Sequence, residues 1–164
     1  MLFGPQTAAQ CGPMAADRIP ALLKTLTASA DYVVVDLPAS LSEANRAVIE
    51  NSSALALVVE RDPVAVQLAA QMRLAMKSWS APEPIGTIVV SRAPLRFPMS
   101  LAEIDSRLGG TALGVIPAEP DLCQSAQNSS TPLVTFLPES HVAGSLTALA
   151  GRLSSGRQQL AGAV

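Results

Sequence analysis

The chain has 164 residues, the length of one domain with a substantial core. Hydrophobic residues make up 49% and charged residues 15%, which excludes a disordered chain, and only 3% are aromatic, so Leu, Val, Ile and Ala must build the interior. The formal net charge is −2 and the arginines (Arg46, Arg61, Arg73, Arg92, Arg96, Arg107) are scattered, which leaves no basic footprint for nucleic acid.

In chain order, Leu2–Gly4 is a weak candidate strand and Ala16–Ala28 a helical pattern. Then comes DYVVVDLPAS, residues 31 to 40, in which an apolar run delivers an aspartate to a strand end: a strand is expected over Tyr32–Asp36. A helix is expected over Ser42–Asn51, a strand over Leu55–Glu60 and a helix over Pro63–Trp79, with Asp62 as N-cap and Pro63 at the first helical position. Within that helix Val66, Leu68, Ala69, Met72, Ala75, Met76 and Trp79 recur near 3.6 residues and predict one core-facing stripe.

The strand expected at Ile85–Ser91 precedes a helix over Ser100–Leu108, where Ser100 and Glu103 make a capping-box pair and Gly109–Gly110 a stop. A fourth strand is expected over Ala112–Ile116, and a last helix from about Ser140 to Leu153. The strands read as continuous apolar runs, the signature of a sheet covered on both faces. The expected fold is a three-layer α/β domain, a mainly parallel sheet with helices on both faces, over 1–154, with 155–164 as a flexible C-terminal tail.

In such a sheet ligands bind outside the carboxyl ends of the strands, here DLPAS, SRAPLRFP and PAEPDL. Asp36 either caps the turn of DLPAS or serves a magnesium ion. Other chemistry has less support. His141 lies beside Glu139 and Ser140, where a solvated helix-start residue outweighs an acid–base pair. Cys11 and Cys123 belong to no CxxC or Cys/His cluster and read as reduced, partly buried thiols, not a zinc site. No GxSxG elbow is present, and no strand ends in the lysine that a phosphoacceptor receiver would need. Neither a signal peptide nor a run near the roughly 20 residues of a membrane span is visible, and GRLSSGRQQLAGAV is too weak for an amphipathic anchor, so a cytoplasmic location is expected.

DYVVVDLPAS resembles the Walker B strand and following switch segment of the ParA/MinD family of P-loop ATPases. ALALVVERDPVAVQLAAQM is similar to that family's next strand and helix, GTIVVSRA to its adenine-side strand, and LGGTALGVIPAEPDLCQSAQNSSTPLV to its closing strand, proline loop and helix. The insert FPMSLAEIDSRLGG is nearest to the CpaE/TadZ-like branch, implicated in placing pilus secretion machinery. The resemblance runs from about residue 15 to 153 and implies ATP and Mg2+ as cofactors for the family. It also implies a nucleotide site at Asp36, Pro38, Ser91, Arg92, Pro117, Glu119 and Asp121, with Asp36 magnesium-associated only if a P-loop is supplied.

The departures are as telling. No GxxxxGK[ST] occurs, and the lysines, Lys24 and Lys77, fall within helical patterns. Ser91-Arg92 replaces Asn-Arg, Pro117-Ala118-Glu119 stands where the family often has Pro-Glu-Asp or Pro-x-Asp, and Ser130 stands where the family has glycine. The expectation is a degenerate, non-catalytic positioning or interaction module that needs no cofactor of its own. The alternative is the C-terminal part of an ATPase whose P-loop lies upstream or on another chain. In the family the P-loop strand lies centrally, beside the Walker B strand, so the resemblance implies a gap between Tyr32–Asp36 and Leu55–Glu60, which either pair directly or leave a slot. That gap is expected either to close, recruiting Leu2–Gly4, or to pair with another chain, and a homodimer is favoured.

Overall fold

The computed structural model describes residues 7, 12, 14–83, 85–92 and 98–161, with side chains in the last helix described through Ser154. Leu2–Gly4 lies outside the described residues. Their contacts group into two compact units, 1–55 with 74–83, and 56–73 with 84–164.

The first unit is helical. A 3-10 turn, Ala16–Arg18, leads into α1 (Ile19–Thr27), which carries proline in its first turn and packs on α2 (Glu43–Glu50). Ser42 caps α2 by accepting the Asn45 N–H at 3.2 Å, and Ile19, Val48 and Ile49 are buried. Tyr32–Asp36 is not a strand. It enters no sheet, and Val34 is 93% exposed. Sequence preference supplies the extended backbone, but a strand exists only where a neighbour accepts its ladder bonds.

The second unit holds a parallel sheet. Among the described residues it has β1 (Ala56–Glu60), β2 (Gly86–Val90) and β3 (Gly114–Ile116) in the order β1-β2-β3. Ala56 aligns with Gly86 through Glu60 with Val90, and Ile88 with Gly114 through Val90 with Ile116. These three strands lie within one residue or two of the predicted ends. Aligned neighbours in a parallel sheet point the same way, so Leu57, Val59, Thr87, Val89 and Val115 share a face. Against that face pack Val66 and Ala69 of α3 (Pro63–Met76) and Ile104 and Leu108 of α4 (Leu101–Leu108), with Met99. Val66, Val89 and Ile104 are fully buried, each worth about 1.5–3 kcal/mol.

The opposite face is covered at β3 by α7 (His141–Ala161). A Cβ added at Gly114 would meet Leu149 Cδ1 at 3.3 Å, so glycine permits that approach. At β1 this face is open, and Val58 is 63% exposed. The continuous apolar run at 55–59 thus hides an alternation, since only Leu57 and Val59 are buried there.

The helix signals act as the sequence suggests. Asp62 Oδ1 accepts the N–H groups of Val64 and Ala65 at 2.9 and 3.0 Å. Ser100 and Glu103 form the reciprocal capping box, and Gly109 closes α4 at φ 70°. The α3 stripe is narrower than its periodicity implied: Val66, Ala69 and Met76 are buried, but Leu68 is 59% exposed. Two further helices complete the unit, α5 (Pro120–Asn128), begun by Pro120 at its first position, and the short α6 (Leu133–Phe136). Residues 155–161 continue α7.

Candidate functional site

In the first unit Asp36 is exposed and makes no hydrogen bond or ion pair with the described residues. It does not cap its own turn, contrary to the simpler expectation. The turn is held by Asn45, whose Nδ2 donates to Pro38 O and Ser40 O at 2.8 Å each and approaches Ser40 Oγ at 3.2 Å. Ser40 N–H closes the turn on Pro38 O at 2.7 Å. Asn45 is 6% exposed, one of the few buried polar side chains described. Sequence reasoning missed it, although an asparagine three residues after an N-cap serine, within reach of a Pro-x-Ser turn, was a readable signal.

On α2, Arg46 Nε donates to Glu50 Oε1 at 2.8 Å, and its guanidinium lies 6.0 Å from the Trp79 ring centroid. The hydrogen bond from Arg46 holds the Glu50 carboxyl below its usual range, against the opposing effect of desolvation, and Glu50 in turn raises Arg46.

In the second unit the carboxyl ends of the strands line one rim. Arg92, just past β2, pairs through Nε with Glu60 Oε1 at the end of β1 at 3.0 Å. Ser91 N–H donates to Ile116 O at 2.9 Å, so the tips of β2 and β3 are tied through backbone, and the Ser91 side chain is not needed for that link. Pro117 and Glu119 follow β3 half-buried. Glu119 is the N-cap residue of α5 without a side-chain cap bond, and Asp121 sits in the first turn. Ser91, Arg92, Pro117, Glu119 and Asp121 thus belong to one rim, and Asp36 and Pro38 belong to the other unit.

The chemistry of this rim fits a phosphate poorly. A helix N-terminus favours an anion, but α5 already carries Asp121 there, and the nearby Arg92 charge is met by Glu60. Among the described residues no group of three or more His, Cys, Asp or Glu is placed to hold a metal ion. Lys24 and Lys77 are exposed, and neither follows a glycine-rich loop. The described residues do not fit ATP with Mg2+.

His141 is the exposed first residue of α7, capped by Ser140, whose Oγ accepts the Ala143 N–H at 3.2 Å. Cys123 is a free thiol and exposed, not partly buried as expected, and Cys11 lies outside the described residues. A cavity of about 310 Å3 lies between α4, β3 and α7. Its charged groups are spent on backbone: Asp105 Oδ1 accepts the Ala112 N–H at 2.9 Å, and Arg152 donates to Leu113 O. It lies at the amino end of β3, the rim where α/β sheets do not place ligands. No helix is long and apolar enough to cross a membrane, among the described residues.

The parallel sheet with helices on both faces matches the α/β fold of P-loop NTPases of the ParA/MinD type. Three solved structures carry this match. The ParA family ATPase from Chlorobium tepidum TLS superposes with a TM-score of 0.78 at 21% identity, over 91% of this chain and 60% of its own. The septum site-determining protein MinD of Pyrococcus horikoshii OT3, complexed with Mg-ADP, gives 0.74 at 19% identity, over 85% and 56%. The MinC:MinD cell division protein complex of Aquifex aeolicus gives 0.75 at 19%, over 87% and 60%. The chain therefore spans about 60% of the length of these structures. No family model matches the sequence, and no curated protein does either.

Proposed function

We propose that this chain is a degenerate ParA/MinD-like module of the CpaE/TadZ kind, acting without catalysis to position pilus or secretion machinery in the cytoplasm. It works by self-association or by holding a partner protein. The observation that carries this reading is a ParA/MinD-like fold whose 164 residues contain no GxxxxGK[ST], the backbone cradle and lysine on which phosphate binding depends. The carboxylate at the head of α5 and the Glu60–Arg92 pair support it. In this reading Asp36, Pro38, Ser91, Arg92, Pro117, Glu119 and Asp121 keep the positions of a nucleotide site without its ligand.

Titration calorimetry with ATP and Mg2+ tests it. No heat of micromolar binding is expected, whereas micromolar binding abolished by Asp36→Ala would overturn it. A pull-down from native cells should recover a pilus, secretion or polarity component, and failure to do so removes the CpaE/TadZ-like assignment.

One observation favours a second reading. The chain spans only about 60% of the structures it matches, one of them a nucleotide-bound MinD. On that reading it is the C-terminal part of an ATP-binding ATPase whose P-loop lies upstream or on another polypeptide, with Asp36 beside the magnesium. A glycine-rich loop with its lysine in the adjoining upstream coding sequence would favour it.

A further inference from the structure

We propose that the cavity between α4, β3 and α7 is a binding site for a small zwitterion, a free α-amino acid with an apolar side chain. Every residue that lines it belongs to the second unit. It lies at the opposite end of β3 from Pro117 and Glu119, so it neither uses the carboxyl-end rim nor depends on a P-loop.

Leu101, Val115 and Leu149 give the cavity apolar walls, and Asp105 and Arg152 are the charged side chains among its described lining residues. Their backbone bonds fix these two groups without exhausting them. Asp105 uses one oxygen on the Ala112 N–H, and Arg152 uses one N–H on Leu113 O. One carboxylate oxygen and four guanidinium N–H groups remain. Nor do the two neutralise each other, because the ion pairs among the described residues join Arg46 with Glu50 and Glu60 with Arg92. Opposite charges thus line one cavity, each anchored to backbone and carried by a different helix, α4 and α7.

That arrangement selects by charge. A simple anion is drawn to Arg152 and repelled by Asp105, and a simple cation meets the reverse, so a ligand bearing both charges satisfies the pair best. A carboxylate suits the fork of the guanidinium, and an ammonium suits the remaining Asp105 oxygen. Ser145 Oγ gives its hydrogen to His141 O, which leaves it an acceptor, again suited to an ammonium. The volume of about 310 Å3 lies at the low end of the roughly 300–1,000 Å3 of ligand pockets, which favours a single amino acid over a nucleotide. The apolar walls favour an aliphatic side chain.

Titration calorimetry on the full chain tests this with three probes: leucine, N-acetyl-leucine, which lacks the ammonium, and leucinamide, which lacks the carboxylate. Leucine should bind saturably, and each blocked form about tenfold more weakly or worse, the worth of one charge-assisted hydrogen bond. Asp105→Asn can still accept the Ala112 N–H through its amide oxygen; it should weaken leucine by a similar factor without weakening N-acetyl-leucine. Arg152→Gln keeps a donor for Leu113 O and should weaken leucine without weakening leucinamide. Thr111→Trp, at an exposed lining position, should obstruct leucine, and unchanged circular dichroism would show that the variants fold. Absence of saturable heat from leucine at millimolar concentration overturns the assignment. Equal binding of the three probes, or leucine binding untouched in all three variants, overturns it as well.

Discussion

Replacing Asn45 by alanine is expected to loosen the segment that follows Asp36. Its Nδ2 has two hydrogens, and they serve Pro38 O and Ser40 O at 2.8 Å each, from a side chain only 6% exposed. Pro38 O keeps a second donor, Ser40 N–H at 2.7 Å, but Ser40 O loses the Asn45 donor. At about 0.5–1.5 kcal/mol per bond, the loss is about 1–3 kcal/mol. For a chain of this length that corresponds to a fall in melting temperature of roughly 2–12 °C. Asn45→Asp is the sharper perturbation, because it is nearly isosteric yet turns a carboxylate oxygen toward two carbonyl oxygens. It should cost more than alanine at neutral pH and recover part of the loss in acid, where the protonated carboxyl donates one hydrogen bond. Thermal unfolding followed by circular dichroism, with hydrogen exchange over residues 37–41, measures both effects. If Asn45→Ala melts with the parent chain and exchange at 37–41 is unchanged, Asn45 does not hold this turn.

Two further predictions concern local energetics. Ser130 closes α5 at φ 50°, with Ser130 N–H donating to Gln127 O and Thr131 N–H to Ala126 O, the arrangement glycine adopts without strain; Ser130→Gly should therefore stabilise by about 0.5–1 kcal/mol net of its greater unfolded-state freedom, and a lower melting temperature would contradict this. The carboxyl of Glu103 is held below its usual value of 4.5, chiefly by the Ser100 hydroxyl and next by the Ser100 backbone N–H, as Glu50 is by Arg46; because the folded-state values are depressed, the stabilisation is present above about pH 4.5 and disappears as pH falls through the folded values. Glu103→Gln should accordingly lower the melting temperature at neutral pH and converge with the parent in acid, and an offset independent of pH would refute the linkage.

Local sequence determined much of this chain by itself. Asp62, the Ser100–Glu103 box and Gly109 announce helix ends because caps satisfy orphan backbone groups within three or four residues, so their partners are always near. β1, β2 and β3 were legible as apolar runs bounded by turn residues, and the order of motifs resembled the fold that the solved structures share. What only tertiary structure decided is which runs find a neighbour. DYVVVD and ALVVE have the same local signature, but ALVVE lies in register with β2 and is a strand, whereas Tyr32–Asp36 joins no ladder and exposes Val34. The same holds at the candidate site. Asp36 drew notice because it ends an apolar run, but the turn beside it is held by Asn45, seven residues from Pro38 and presented by a different element. Arg92 was legible as a rim residue, and its partner Glu60 was not, because β1 and β2 are brought side by side only by the sheet. Hydrogen bonding along a helix is local and can be read from neighbouring letters; pairing between strands is non-local, and its partner must be supplied by the fold or by another chain.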